Sequence, residues 1–344
     1  MTDFEYMTQF ELLLKAHKQA TVGRKQLYVV KKYGFHLGES LVDLQARLIE
    51  GTYALGGYFR FTVYEPKKRT IYAMNHEDKV VQQLLCMILE RRLSSHFIYD
   101  NVACQKGKGS HFGLRRLKSF LVCMHRRHGR DFYVLKADIS KYFASIRHDI
   151  LKKMLTVKIK DQRVLSLLFQ LIDSHHTPGK PGVGIPLGNQ TSQWFALYYL
   201  SSFDHWVKEQ LKPAFYLRYM DDFVLIVKEK ERAMQHLKAI TVKLVPLGLR
   251  LNPSTQMLKM TQGFEFLGWR FVMRVSGRVI LRLRVASKKR ICRRLKRMYD
   301  DERASGLGVA QRVASYRGHL KHGNGYYLSL RMFDNDQRKA MFCR

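Results

Sequence analysis

The stretch Phe215-Tyr216-Leu217-Arg218-Tyr219-Met220-Asp221-Asp222-Phe223-Val224-Leu225-Ile226-Val227 places two adjacent carboxylates between two apolar runs. Both runs are typical of β-strands, so the stretch predicts a hairpin that presents Asp221 and Asp222 at its turn. Neighbouring carboxylates repel each other unless a cation lies between them, and hard oxygen ligands of this kind suit Mg²⁺. A solvated Asp-Asp turn is the alternative, because so short a motif also occurs by chance.

A second strand-like run, Phe132-Tyr133-Val134-Leu135-Lys136-Ala137-Asp138-Ile139, carries another carboxylate near its end. Side chains alternate between the two faces of a strand, which sets Asp138 on the face opposite Leu135, Ala137 and Ile139. Two-metal nucleotidyl transfer needs carboxylates from separate strands that converge on ions about 3.5–4 Å apart. One Asp strand followed by an Asp-Asp hairpin supplies such a set.

The charge of the chain restricts its partners. Among 344 residues, 46% are hydrophobic, which predicts a folded protein, and 61 Lys and Arg exceed 28 Asp and Glu to give a formal net charge of +33. A folded chain with this imbalance favours a polyanion, usually nucleic acid. No run approaches the roughly 20 apolar residues of a transmembrane helix, so we expect no membrane partner. The five widely spaced cysteines lack a Cys-x-x-Cys motif, which predicts a reducing cytoplasm and neither zinc nor disulfides.

Periodicity predicts several further elements. Residues 4–20 predict an amphipathic helix, and Leu41, Leu44 and Leu48 predict another that ends at Gly51. Residues 58–64 and 69–74 predict a hairpin with a basic turn between its strands. Further helices are predicted over residues 79–93, 114–124 and 164–172.

A basic stretch lies near the C-terminal end of the sequence. From Arg282 to Arg297, nine of sixteen residues are Lys or Arg. A solvated helix face is the usual explanation for such a run. Nine like charges without acidic partners would nevertheless repel one another unless phosphate met them, so the run also predicts contact with a nucleic-acid backbone.

These motifs, in this order, resemble those of the reverse transcriptases. Ala137-Asp138-Ile139 looks like their motif A and Tyr219-Met220-Asp221-Asp222 like motif C. Many members carry Gln-Gly and Ser-Pro where this chain has Leu187-Gly188 and Ser192-Gln193. That pattern is similar to the reverse transcriptases of diversity-generating retroelements, bacterial or phage-encoded relatives of the group II intron and retron enzymes.

The resemblance implies an α+β right-hand polymerase fold with fingers, a palm built on an antiparallel sheet and a helical thumb. Fingers and palm are expected over residues 1–272. Within them, the fingers would take mainly residues 1–130 and 150–180, and the palm mainly residues 131–149 and 181–272. A basic helical thumb is expected over residues 273–344.

The resemblance also implies roles for individual residues. Asp138, Asp221 and Asp222 would be catalytic and, with the backbone carbonyl of Ile139, would hold two Mg²⁺ ions, replaceable by Mn²⁺. The dNTP is expected at Lys67, Arg69, Phe143, Leu187 and Gly188. The template and primer are expected at Lys106, Lys108, Gln193, Tyr219, Met220, Gly268, Arg293 and Arg294.

Alternatives stay open for several of these residues. The turn around Lys67 and the loop around Lys106 are equally compatible with solvated basic segments, and Phe143 with plain core packing. The lysine usual in motif D is replaced by Thr255. Whether Lys259 takes its place as a proton donor is therefore an open question at this point.

The implied function is RNA-directed DNA synthesis on template RNA and an RNA/DNA duplex. In the retroelement role, the enzyme would copy a template-repeat RNA into adenine-mutagenised cDNA, a process called mutagenic retrohoming. A small basic ring-forming accessory protein is the expected partner. A retron or phage-defence reverse transcriptase is the nearest alternative, and a catalytically dead RNA-binding scaffold is the alternative from another class.

Overall fold

The computed structural model describes residues 1–64, 67–300 and 306–333. Glu65 and Pro66 of the predicted basic turn lie outside the described residues. The same holds for residues 301–305 and 334–344 of the predicted thumb. None of the helices within the described ranges combines the length and the hydropathy that crossing a membrane demands.

The described residues form fifteen α-helices and nine strands. The helices are α1 (Asp3–Met7), α2 (Phe10–Ala20), α3 (Tyr28–Phe35), α4 (Leu37–Glu50), α5 (His76–Leu93), α6 (Ser110–His128), α7 (Tyr142–Ser145), α8 (His148–Lys158), α9 (Gln162–Asp173), α10 (Gln190–Tyr199), α11 (Ser201–Trp206), α12 (Lys230–Leu244), α13 (Val285–Asp300), α14 (Gly306–Leu320) and α15 (Tyr326–Phe333). The strands are β1 (Phe59–Val63), β2 (Arg69–Ala73), β3 (Tyr133–Asp138), β4 (Phe215–Tyr219), β5 (Asp222–Val227), β6 (Gln256–Lys259), β7 (Phe264–Phe266), β8 (Trp269–Met273) and β9 (Val279–Leu283).

A four-stranded antiparallel sheet lies at the centre of the fold, in the order β4-β5-β3-β6. Its two faces belong to different hydrophobic cores: Leu135 and Leu225 face one, whereas Val134 and Val224 face the other. A sheet covered on both faces needs apolar residues at successive positions. This is why the strand sequences read as nearly continuous hydrophobic runs.

The helical layer on the first face agrees with the predicted periodicity at most positions. Leu41, Leu44 and Leu48 are buried on α4, which ends at Gly51 in the left-handed conformation. The prediction of one helix over residues 4–20 is wrong, because the chain breaks between α1 and α2. The Thr8 hydroxyl donates to the Phe4 carbonyl (2.9 Å), so a side chain takes part in ending the first helix.

The second face supports a three-stranded sheet of β7, β8 and β9, followed by the C-terminal helices. The predicted helical thumb over residues 273–344 therefore needs a correction, since residues 279–283 form a strand with Val279 and Leu281 buried on one face. The alternation of apolar residues there matches the period of a strand. Helices α13 to α15 enclose a small core of their own that includes Leu295, Leu320 and Phe333.

Candidate active site

The predicted Asp-Asp hairpin is confirmed. Strand β4 ends at Tyr219 and β5 begins at Asp222, and these two residues pair, so only Met220 and Asp221 connect the strands. Met220 has a φ of 55°, which a two-residue hairpin turn requires at its first central position. A left-handed conformation is strained for a residue other than glycine, by about 1–2 kcal/mol. Other contacts must therefore hold this turn in place.

The register of the two central strands brings the carboxylates together. Asp138, the last residue of β3, lies directly opposite Asp222 on β5. Side chains directly opposite each other on an antiparallel pair have Cβ atoms about 4.5–5.5 Å apart. The Ile139 N–H donates to the Asp221 carbonyl (3.3 Å), which joins the end of β3 to the turn. All three carboxylates line one cavity.

The electrostatics of the three carboxylates favour a bound cation. Burial, together with the charges of Asp138 and Asp221, raises the pKa of Asp222 to about 6. Burial and Asp138 also raise the pKa of Asp221. In the described part of the chain, no three Asp, Glu, His or Cys side chains are arranged so that they could hold a metal ion by themselves. Mg²⁺ in polymerase sites is typically bound through one or two carboxylates plus substrate phosphates, so an open carboxylate set fits such an ion.

The cavity that contains the carboxylates is large and has a basic wall. Its volume is about 830 Å³, and Lys67 and Arg69 reach it from the β1–β2 hairpin. Arg270 and Arg284 reach it from the side of the three-stranded sheet. A cavity lined by both carboxylates and cationic side chains would suit a ligand that carries phosphates and metal ions together.

Asn252 also belongs to this site, although no motif in the sequence predicts a role for it. Its backbone N–H donates to the Asp138 carbonyl (2.7 Å). Its side-chain amide donates to Asp138 Oδ2 (3.0 Å). Its side-chain oxygen accepts from the Ser254 N–H (3.0 Å), the local turn that Asn forms ahead of Pro and Ser. The dipeptide Asn252-Pro253 was the available signal, but only the fold shows which carboxylate it contacts.

A buried ion pair supports the Met220 turn through a hydrogen bond to the backbone of the turn. Arg218 and Asp204 are both fully buried and paired through two hydrogen bonds, Nε to Oδ1 (2.7 Å) and Nη2 to Oδ2 (2.6 Å). Arg218 Nη1 also donates to the Met220 carbonyl (2.7 Å). The Tyr216 hydroxyl donates to Asp204 as well (2.7 Å). An arginine inside an apolar strand is the sequence signal for such a partner.

The residues predicted to contact the dNTP fall into two groups. Lys67 and Arg69 line the carboxylate cavity, whereas Phe143, Leu187 and Gly188, all within the described chain, are outside its lining. Phe143 is half-buried against the main core. The Leu187 carbonyl accepts from the Tyr72 N–H (2.8 Å). Gly188 lies so close to β2 that an added Cβ would be 2.9 Å from the Tyr72 carbonyl oxygen.

The residues predicted to contact template and primer are spread over the fold. Lys106 forms an ion pair with Glu90 (2.8 Å), and Lys108 donates to the Tyr99 carbonyl (2.9 Å). Both lysines therefore have partners within the chain, and their contact with template stays a prediction. Gln193 is exposed on α10, and Gly268 lies in the β7–β8 turn. Tyr219 and Met220 precede Asp221 in partly buried positions, and Arg293 and Arg294 are exposed on α13.

The open question about Lys259 is answered by the strand register. Lys259 pairs with Tyr133, at the end of β3 opposite to Asp138. The two ends of β3 are five residue steps apart, roughly 16 Å at about 3.3 Å per step. The Lys259 ammonium forms an ion pair with Asp131 (2.8 Å). Lys259 is thus too far from the carboxylates to replace the missing motif D lysine.

Comparison with known proteins connects this site to a family. Residues 65–271, more than half of the chain, match the family described as "Reverse transcriptase (RNA-dependent DNA polymerase)". The protein YkfC of Escherichia coli is 27% identical over 237 residues, which are 58% of this chain and 62% of YkfC. The putative COX1/OXI3 intron 2 protein of Saccharomyces cerevisiae is 25% identical over 152 residues, 43% of this chain and 17% of that protein. The chain thus spans about three fifths of one relative and under a fifth of the other.

Solved structures share the fold at low sequence identity. Telomerase from Candida albicans, in complex with a fragment of telomeric RNA, has a TM-score of 0.52 and 12% identity, covering 88% of this chain and 59% of that one. Apo telomerase from Candida tropicalis has a TM-score of 0.52 and 11% identity, covering 88% of this chain and 65% of that one. These similarities confirm the predicted α+β polymerase fold with its antiparallel sheet. The boundaries between fingers, palm and thumb stay a prediction.

Proposed function

Because the chain belongs to the reverse transcriptase (RNA-dependent DNA polymerase) family, we propose that it is an RNA-directed DNA polymerase that works in the 830 Å³ cavity. The observation that carries this proposal is the register of β3 and β5, which pairs Asp138 with Asp222 beside Asp221. Its substrates would be dNTPs and a primer annealed to a template RNA. The basic surface of the chain, with a net charge of +33, suits both.

The carboxylates would hold the catalytic cations. Asp138, Asp221, Asp222 and the Ile139 carbonyl would bind two Mg²⁺ ions, which Mn²⁺ could replace. When bound, such ions activate the attacking 3′-hydroxyl and stabilise the charge of the departing pyrophosphate. The raised pKa values of Asp221 and Asp222 support this assignment, because like charges held out of water are stabilised by a cation.

Basic residues of the β1–β2 hairpin would bind the phosphates of the dNTP. Lys67 and Arg69 line the cavity together with the carboxylates. An arginine can donate two parallel hydrogen bonds to a phosphate, and a lysine supplies a compact charge. Phe143 would exclude a ribose 2′-hydroxyl, a role supported by its place five residues after Asp138.

An extension assay tests the polymerase proposal. We expect Asp138→Asn and Asp221→Asn to abolish Mg²⁺-dependent extension of oligo(dT) on poly(rA), with RNA affinity nearly unchanged. Asp131→Asn is the matched control, because Asp131 is an exposed carboxylate just before the opposite end of β3. Full activity in Asp221→Asn would contradict the proposal and favour an RNA-binding scaffold instead.

We further propose the narrower role in a diversity-generating retroelement. The supporting observation is the sequence pattern of Leu187-Gly188 and Ser192-Gln193. The enzyme would make adenine-mutagenised cDNA in the cytoplasm of a bacterium, with a small basic ring-forming accessory protein. A retron or phage-defence role is the alternative. A template repeat and a variable repeat beside the gene would favour the first, and a structured retron RNA the second.

A further inference from the structure

A second cavity, of about 500 Å³, borders the segment that carries Asp138. Ser140 and Arg250 line it, whereas Asp138 and Asn252 line the carboxylate cavity. The Ser140 N–H donates to the Arg250 carbonyl (2.9 Å), and the Asn252 N–H donates to the Asp138 carbonyl (2.7 Å). The same two crossing segments therefore contribute to the walls of both cavities.

Four cationic side chains from separate segments line this second cavity. Lys141 follows β3, Arg147 precedes α8, Lys180 lies in a turn after α9, and Arg250 follows α12. No acidic side chain of the described chain belongs to the lining. Within the described residues, Arg147 alone of the four has an ion pair, to Asp149. Cations gathered around one cavity repel each other unless an anion lies between them.

Two features position the Arg147 side chain beside this cavity. Asp149 fixes the Arg147 guanidinium by two hydrogen bonds, Nε to Oδ1 (3.1 Å) and Nη2 to Oδ2 (2.5 Å). A Cβ at Gly248 would be 3.0 Å from Arg147 Cδ, so glycine lets the arginine chain pass closely.

Lys141 adds a further indication of function. Its backbone is left-handed, with a φ of 48° and a ψ of 42°. A side-chain-bearing residue in this conformation is strained, and such residues cluster at ligand sites. An occupant that contacted both Lys141 and Arg250 would also link the two segments that position Asp138.

We propose that this cavity binds an oligophosphate, either inorganic pyrophosphate or the triphosphate of a nucleotide, at a site separate from the carboxylate cavity. Adjacent phosphates concentrate several anionic oxygens within one cavity of this size, and arginine and lysine bind such oxygens by charge-assisted hydrogen bonds. Ligand cavities of about 300–1,000 Å³ are typical of small molecules. A nucleic-acid backbone is the less suitable occupant, since its phosphates follow an extended groove. This site does not depend on the polymerase proposal.

Isothermal titration of the full chain in EDTA tests the proposal, because no divalent ion then recruits phosphates to the carboxylates. The ligands are pyrophosphate, ATP and AMP. We expect pyrophosphate and ATP to bind, and AMP, with one phosphate, to bind much more weakly. Tighter binding of pyrophosphate would assign the occupant as free diphosphate, and tighter binding of ATP as a nucleotide. Both results support an oligophosphate site.

Three double variants locate the bound ligand. Lys180→Gln/Arg250→Gln should weaken the affinity for pyrophosphate about tenfold or more, because the variant loses two charge-assisted hydrogen bonds to the ligand. Both side chains are exposed, so the fold should tolerate the change. Lys230→Gln/Lys238→Gln removes the same charge from exposed positions of α12 and should leave affinity unchanged. Lys67→Gln/Arg69→Gln, in the carboxylate cavity, should lose less affinity for pyrophosphate than Lys180→Gln/Arg250→Gln does.

Several results would overturn the proposal. If the parent chain does not bind pyrophosphate, the proposal fails. It also fails if Lys230→Gln/Lys238→Gln loses as much affinity as Lys180→Gln/Arg250→Gln, because the binding would then reflect only general charge attraction. If Lys67→Gln/Arg69→Gln loses affinity for pyrophosphate while Lys180→Gln/Arg250→Gln keeps the parental affinity, the ligand binds in the carboxylate cavity. Displacement of pyrophosphate by a short RNA without terminal phosphates would identify the cavity as a backbone contact.

Discussion

Asn252 contacts Asp138 at two points, through its backbone N–H to the Asp138 carbonyl (2.7 Å) and through its side-chain amide to Oδ2 (3.0 Å). The first bond joins two segments of the fold, and the second orients a carboxylate that lines the proposed catalytic cavity. A carboxylate with one oxygen held by an amide has fewer orientations to lose when it binds a cation. Asn252 is therefore a positioning residue for Asp138.

We expect Asn252→Ala to slow DNA extension roughly tenfold or more, because a hydrogen bond to a charged group contributes about 1.5–3 kcal/mol. The measurement is single-turnover extension at saturating dNTP. Ser254→Ala is the control, since Ser254 lines the same cavity and no bond from its side chain to Asp138 is seen in the structure. A parental rate in Asn252→Ala would show that Asp138 keeps its orientation without the amide.

The Arg218–Asp204 pair should have two separable effects. It should stabilise the fold, and it should hold the Met220 turn in place. Asp204→Asn leaves a buried arginine without its counter-charge, and we expect the free energy of unfolding to fall by about 3–5 kcal/mol. Arg218→Met/Asp204→Leu leaves no buried charge, so most of the stability should return. The double variant still lacks the bond to the Met220 carbonyl, and its extension rate should stay low.

Denaturant unfolding and extension assays on the same preparations distinguish these two effects. Conversion of Asp43, an exposed partner of Arg47, to Asn provides a control whose stability should change little. Recovery of both stability and activity in the double variant would limit Arg218 to a packing role.

The raised pKa of Asp222 predicts a pH-dependent stability of the metal-free chain. With a pKa of about 6, above the ordinary carboxyl value, the folded chain binds a proton more tightly than the unfolded chain does. The free energy of unfolding should therefore decrease as the pH rises between about 4 and 6. Asp222→Asn has no carboxyl to ionise, so its free energy of unfolding should not decrease in this way. Near pH 7 the variant should therefore be more stable than the parent by about 1–2 kcal/mol, after allowance for partial solvation of the site.

Urea unfolding in EDTA near pH 4 and near pH 7 measures this difference. The gain from Asp222→Asn should be present at the higher pH and absent at the lower one. Asp131→Asn should show no gain at either pH, because Lys259 lowers rather than raises the pKa of Asp131. An equal gain for Asp222→Asn at both pH values would mean that its carboxyl does not titrate in this range.

Leu187 should make nucleotide selection less accurate. A glutamine amide at this position can donate to and accept from a nucleotide, whereas leucine offers only apolar contact. Each 1.4 kcal/mol of lost discrimination costs about tenfold in selectivity, roughly the contribution of one hydrogen bond. We expect frequent errors at template adenines in the parent and fewer in Leu187→Gln.

Sequencing of cDNA copied from an RNA of mixed composition tests this prediction. Leu187→Met, of similar volume and also apolar, is the matched control and should keep the parental error rate. Errors spread evenly over the four template bases would count against the retroelement role while leaving the polymerase proposal intact. An unchanged error spectrum in Leu187→Gln would make Leu187 a packing residue beside β2.

Local sequence was sufficient for many of the helices and strands and for the hairpin that presents Asp221 and Asp222. Strand periodicity placed Asp138 on the polar side of β3, and apolar spacing located α4 and α5. Both patterns can be read locally, because they show which face of a single helix or strand is buried. The break between α1 and α2 was missed, since helical periodicity continues across Thr8. The strand at Val279–Leu283 was missed because the many basic residues around it favoured a helix.

The sequence by itself determined the chemical groups: three carboxylates on strand ends, a basic hairpin and a chain with a large excess of positive charge. Only the tertiary structure decided which of these groups meet. The pairing of Asp138 with Asp222 depends on strands 84 residues apart, and the contact of Asn252 with Asp138 spans 114 residues. The distance of Lys259 from the site follows from the register of β6 against β3. The hydrophobic pattern of a strand decides which face is buried, but which distant strand pairs with it, and in which register, depends on the packing of whole faces against one another.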